Sequence, residues 1–269
     1  MAIKRIDESK KKIYQTLSHP IREETESLKK KVQELEIGSL RGNVEMMKYK
    51  PFLVANYYIN MALNDMKMNN LSIKVMDLKQ GEILENARKN IYTAISTLEK
   101  LVGSDVDNDL SESDERLKGT EKMTPYRKLY LFKKIELALK LLQEYLEDDP
   151  KFKYKILEMF SKFAVVVKNS INFKEFTSMK PMDPNYRYYN DLIRYAKDLL
   201  KVSADEYRQK YEVSGHEVSD MRRAQEYLRS LMRINNILGY YDESKEIKKT
   251  IEKWSSKMEE DLKAKEKKR

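Results

Sequence analysis

The sequence predicts an all-α protein, an array of seven to eight amphipathic helices. Glycine and proline number only 7 and 6 in 269 residues, so long stretches run without structural punctuation. Within those stretches apolar residues recur every three or four positions between Lys and Glu, the period of a helix with one buried face. The spread of Leu, Ile, Val, Met, Phe and Tyr along the chain supplies a core, which separates it from disordered sequences.

The first helix is expected from Asp7 to about Glu36, interrupted near Ser18-His19-Pro20. Ile21, Leu28, Val32 and Leu35 follow a seven-four-three spacing that suits packing along a partner helix, until Gly38 and Gly42 stop it. Pro51 is expected to open a second helix that ends at Asn69-Asn70. A third segment from Leu71 to Val102 is expected to break or bend at Gly81 and stop at Gly103.

Residues 104–122 are polar and acidic, and read as an exposed linker and domain boundary. They divide an N-terminal helical lobe (1–103) from a C-terminal one (123–262), followed by a basic tail (263–269). Thr124-Pro125 opens the next helix, which ends at Asp148-Asp149-Pro150. The helix from Lys151 holds Phe163-Ala164-Val165-Val166-Val167 and is expected to be the most buried. Residues 172–184 read as a connection, followed by a helix from Tyr186 to about Tyr211. Gly215 separates that helix from one ending at Gly239, and a last helix carries Ile247, Ile251, Trp254, Met258 and Leu262.

The 53 basic and 44 acidic side chains leave a net charge of +9, a dilute field that reads as solvated helical surface. Cysteine is absent, which excludes disulfides, thiolate catalysis and Cys-based metal sites. No phosphate-cradling glycine loop or serine elbow occurs. Paired carboxylates such as Glu23-Glu24 and Glu259-Glu260 lie on charged faces, so no catalytic set is visible and a non-enzymatic protein without cofactors is expected. Asp105, Asp107 and Asp109 alternate as at the start of a calcium loop. Leu110 stands where that loop needs glycine and Arg116 where it needs glutamate, so a solvated loop is expected instead. His19 and His216 lie in separate helix starts with no second ligand at metal-binding spacing, so no metal site is expected. No stretch approaches the length of a membrane span, and the charged N-terminus carries no leader-like apolar run. A cytoplasmic protein is expected as the sequence is written, or a periplasmic one if a leader has been removed.

Arginine and tyrosine interleave in 184–195. On a helix Tyr186, Tyr189 and Ile193 share the face expected to be core. Arg187, Tyr188, Arg194 and Tyr195 remain as candidate surface anchors, extended by Arg222, Arg223, Arg229 and Arg233 on the following helix. Such a patch suits a protein partner or, as the lesser reading, nucleic acid through stacking and phosphate contact.

The turn Gly239-Tyr240-Tyr241-Asp242-Glu243-Ser244 resembles the helix–turn–helix junction of a tetratricopeptide repeat, where glycine, an aromatic and an acidic pair precede a small residue. Ser244 takes the place of the usual alanine, and no 34-residue period recurs elsewhere. The resemblance covers about 30 residues. It implies a helical hairpin that binds a peptide or packs against another protein. The long, Tyr-rich helices also resemble subunits of bacterial helical assemblies such as the sheath or coiling proteins of spirochaete flagella, which implies self-assembly. The sequence thus points to a non-catalytic interaction, scaffold or assembly protein.

Overall fold

The computed structural model describes residues 7–37, 44–147 and 149–267. It is all-α: ten helices and no strand are found among the described residues. They run α1 (Glu8–Ile37), α2 (Val44–Met76), α3 (Gly81–Val102), α4 (Leu110–Arg116), α5 (Pro125–Leu146), α6 (Pro150–Asn169), α7 (Phe173–Ser178), α8 (Tyr186–Val213), α9 (Val218–Ile237) and α10 (Tyr241–Glu266). The chain divides into two compact units. One holds Met1–Leu101, Gly119–Met123 and Tyr130–Met159; the other holds Val102–Lys118, Thr124–Leu129 and Phe160–Arg269. This division does not follow a cut at 104–122, because α5 and α6 each contribute to both units.

In the first unit α1 packs along α2. Tyr14, Ser18, Thr25, Leu28 and Val32 are buried, and with the half-buried Ile21 and Leu35 they recur in alternating steps of four and three. That is the seam of an antiparallel coiled-coil pair. Leu28 and Val32 meet Val54 and Met61. One turn away the seam turns polar, where Asn64 Nδ2 donates to Thr25 Oγ1 at 3.4 Å. The expected interruption at residues 18–20 does not occur: Pro20 lies inside α1. The expected stops at Gly38 and Gly42 lie outside the described residues.

Helix α2 starts before Pro51 and passes through Asn69-Asn70 without ending. Asn69 is fully buried, and its Oδ1 accepts from the Gln80 N–H at 2.8 Å, which ties the end of α2 to the start of α3. The break expected at Gly81 is the turn 77–80, with Gly81 the first residue of α3. Two polar ties fix α2 within this unit. Asn90 Nδ2 of α3 donates to Asp65 at 2.9 Å, and Lys134 Nζ of α5 donates to Asn56 at 2.9 Å and Asn60 at 2.6 Å.

The second unit is centred on the latter part of α6. Every residue from Phe163 to Ile171 is buried, in line with the apolar run expected there. Residues 104–122 are not a free linker. They contain α4 and bury Val106, Asn108, Ser113, Leu117 and Thr120. Likewise α7 forms in the connection 172–184, capped by Asn172, whose side chain accepts from Glu175 N, and it buries Phe173 and Phe176. Helices α8, α9 and α10 follow as an up-down-up set. Lys210 pairs with Asp220 across the α8–α9 turn at 2.7 Å. Gln225 Nε2 donates to Ser255 Oγ at 3.1 Å between α9 and α10. Lys263, Lys265 and Lys267 of the basic tail extend α10 to Glu266 and its cap; residues 268–269 lie outside the described residues.

Candidate functional site

The second unit carries a groove of about 720 Å³ bounded by α8, α9 and α10. Its floor is apolar because the hairpin spacing aims Leu228 and Leu231 of α9 and Ile247 and Trp254 of α10 at one another. Trp254, the only tryptophan of the chain, is buried there. At one end Lys197 pairs with Glu243 at 2.9 Å and lies 4.8 Å from the centre of the Tyr240 ring. At the other end the Arg208 guanidinium lies 5.4 Å from the Trp254 ring centre. These are ordinary cation–π distances, and they fix the aromatic walls.

Asn235 also lines the groove. It is 1% exposed, and its Oδ1 has no hydrogen-bond partner. A buried amide oxygen left without a donor is unfavourable by about 1–3 kcal/mol, so its neighbours in native structures are normally arranged to satisfy it. Along the α8 rim, Asp198, Lys201 and Asp205 make no ion pair among the described residues. The groove therefore offers an apolar floor, one deep acceptor and uncommitted charges.

The eight Arg and Tyr residues expected to form a patch do not gather. Tyr195 is buried and packs edge-on against Phe163 with ring centres 6.4 Å apart. The buried arc of α8 is wide enough to take it in with Leu192 and Ala196. Tyr188 is half-buried against Tyr126, at 5.1 Å. Arg187, Arg194, Arg222, Arg223, Arg229 and Arg233 are exposed. The antiparallel register of α8 and α9, set by Tyr207 stacked on Tyr227, puts Arg187 and Arg194 roughly 25–38 Å along the helix axis from Arg222 and Arg223. Several are already engaged: Arg194 with Asp191, Arg223 with Glu226, Arg233 with Asp107. As expected for the helix, Tyr189 and Ile193 are core, and the Tyr189 hydroxyl donates to Glu175 at 2.7 Å. Burial, and then that bond, raise the tyrosine's pKa.

The three aspartates of 105–109 do not converge as metal ligands. Asp107 holds Arg233 at 3.0 Å, and Asp109 accepts from Ser111 N to cap α4. The oxygens that do converge belong to Val106, Asp105 and Asn108, and what they surround is the Lys168 ammonium. It donates to Val106 O at 2.8 Å, to Asp105 O at 3.5 Å and to Asn108 Oδ1. Burial lowers the pKa of Lys168 to about 8, against the pull of Asp107. Among the described residues no group of three His, Asp or Glu side chains could hold a metal ion. His216 lies 3.9 Å from both Glu212 and Asp261, and His19 sits 3.5 Å from Glu23 on the surface of α1. No described helix is long and apolar enough to cross a membrane.

A family model matches residues 10–262, nearly the whole chain. The chain belongs to the TP0443 family. The match takes in both units and all three helices of the groove, so the family includes the hairpin as well as the α1–α2 pair. No curated protein matches the chain.

Asn235, Asp198, Lys201 and Asp205 carry no local signal in the sequence. Asp198, Lys201 and Asp205 are ordinary polar residues on an exposed helix face, Asn235 interrupts the buried stripe of Leu228 and Leu231, and only the placement of α10 against α8 and α9 turns them towards a common space. The one usable signal was Trp254 on the same apolar stripe as Ile247 and Ile251.

Proposed function

We propose that this protein is a non-catalytic helical interaction module, a scaffold or assembly component that receives a segment of a protein partner in the α8–α9–α10 groove. The observation that carries the reading is the unpartnered, buried Asn235 on the floor of an open apolar groove. An extended or turning backbone laid over Leu228, Leu231 and Trp254 would complete their burial and satisfy that amide. The wall of the groove is the α9–Gly239–α10 hairpin, whose turn resembles a tetratricopeptide junction, an architecture suited to holding peptides between helices.

The test is recovery of partners from native lysate, with nuclease, by the wild-type chain and by two tryptophan substitutions. Thr250→Trp fills the groove from a half-exposed position, and Lys89→Trp is a control on the exposed face of α3. The reading expects a specific protein to survive nuclease and to be lost only with Thr250→Trp. Partners that are equally retained by both variants would contradict it, and partners lost on nuclease treatment would point to nucleic acid instead.

A further inference from the structure

The floor of the groove says that an occupant is partly apolar; the rim says what else it carries. Five carboxylates and three ammonium groups line the groove, an acidic excess in a chain whose net charge is +9. Two of the ammonium groups are already committed, Lys197 to Glu243 and Lys245 to Asp242. Glu246 is partly neutralised by Lys249. Asp198 and Asp205 remain unpaired and flank Lys201 on successive turns of α8, so the α8 rim presents two carboxylates to one ammonium. The buried group on the floor is likewise an acceptor, the Asn235 Oδ1. Deep acceptor and rim carboxylates ask for the same thing: hydrogen-bond donors and positive charge.

We infer that the groove takes a short basic peptide segment of a partner protein, with an apolar side chain seated on Leu231 and Trp254, Lys or Arg side chains towards Asp198 and Asp205, and a backbone or side-chain N–H on Asn235. The inference rests on the groove being the binding surface proposed above and names the chemistry of what fills it. From Asp242 to Trp254 the groove follows α10 for roughly 18 Å. That is the span of about five or six extended residues. Nucleic acid and acidic tails are disfavoured along the α8 rim, because phosphate or carboxylate groups would meet Asp198 and Asp205 with Lys201 as the one unpaired lysine of the lining.

Trp254 supplies the readout, since its emission reports on the groove alone. The full-length protein is titrated with three capped hexapeptides: alternating Leu and Lys, alternating Leu and Glu, and alternating Ser and Lys. The Leu–Lys peptide is expected to shift Trp254 emission and to bind at least about tenfold tighter than either of the others. Its affinity should fall several-fold as salt rises from about 50 to about 500 mM, because rim charges are screened. The double variant Asp198→Lys/Asp205→Lys, made at exposed or rim positions that keep the core intact, should lose about tenfold towards Leu–Lys and gain towards Leu–Glu. Equal or tighter binding of the Leu–Glu peptide overturns the inference, as does binding of Ser–Lys equal to Leu–Lys, or binding indifferent to the double variant. A Trp254 shift that follows protein concentration alone would mean that a second copy is the occupant, and also overturns it. If a partner is lost with Thr250→Trp while the Leu–Lys peptide does not bind, the interaction reading stands and only the basic occupant falls.

Discussion

The Lys168 ammonium on α6 donates to the carbonyl oxygen of Val106 at 2.8 Å, joining positions 62 residues apart in the sequence. Together with its bonds to Asp105 and Asn108, this contact turns a polar, acidic stretch into ordered structure. Asn169 adds a donor to Gly103 O at 3.0 Å, so two adjacent side chains of α6 satisfy the carbonyls that a linker would leave to water.

Replacing Lys168 by methionine removes the donor and leaves Val106 O and Asn108 Oδ1 buried without it. Hydrogen exchange is expected to quicken by about tenfold or more at the amides of 105–117, because these segments open locally once their tie is gone. Amides of α2, in the other unit, should be unchanged. Unaltered exchange at 105–117 would show that the tie is incidental.

Asp65 is buried against Asn90, and burial pushes its carboxyl up to about 6 from 3.8. Between those values the folded chain binds more protons than the unfolded one, so stability falls as the pH rises from about 4 to about 6. The loss is on the order of 2–3 kcal/mol. Asp65→Asn keeps an acceptor for Asn90 and removes the titration. The urea midpoint of this variant, relative to the wild type, should grow as the pH rises from about 4 to about 6, and exceed the wild-type midpoint at neutral pH. A difference that stays constant or shrinks through the same interval would contradict the assignment.

The α1–α2 seam predicts a contrast within one helix. Leu28→Ala, at a seam position against Val54 and Met61, should destabilise by about 2–4 kcal/mol. Ile13→Ala, half-exposed on the neighbouring face, should change stability by less than about 0.5 kcal/mol. Chemical denaturation of both variants decides this.

Gly239 joins α9 and α10, two of the three helices of the groove, at φ +78°, with nothing within 4 Å of a Cβ built there. Alanine therefore meets backbone strain and no clash, and Gly239→Ala should lower stability by about 1–2 kcal/mol. Gly239→Asn, which tolerates the left-handed region better, should lose less. Equal losses in the two thermal melts would point to a cause other than φ.

Much of the fold was legible because period and punctuation agree. The 21–28–32–35 spacing gave the α1–α2 seam, and the Thr124-Pro125 and Gly239 signals lie at the ends of α5 and α9. Proline and asparagine misled where tertiary contacts override local preference. Pro20 and Pro51 sit inside helices whose packing outweighs one missing hydrogen bond. Asn69 reads as a helix end, but its side chain is buried and bonded to Gln80 across a turn. The linker expected at 104–122 is ordered by Lys168, a residue whose apolar neighbours conceal it in a helix read only as core. The site was the least legible part. Tyr195 and the arginines were singled out by composition, whereas the groove depends on which faces of α8 and α10 meet over α9, a property of packing with no local sequence signature.

The most direct measurement is photo-cross-linking in cells from a benzophenone side chain placed at Lys201 on the groove rim, with Lys89 on α3 as the control position. A discrete protein adduct is expected from position 201, absent from position 89 and abolished when Thr250→Trp fills the groove. No adduct from position 201, or the same adducts from both positions, would contradict the groove as the surface by which this chain binds its partner.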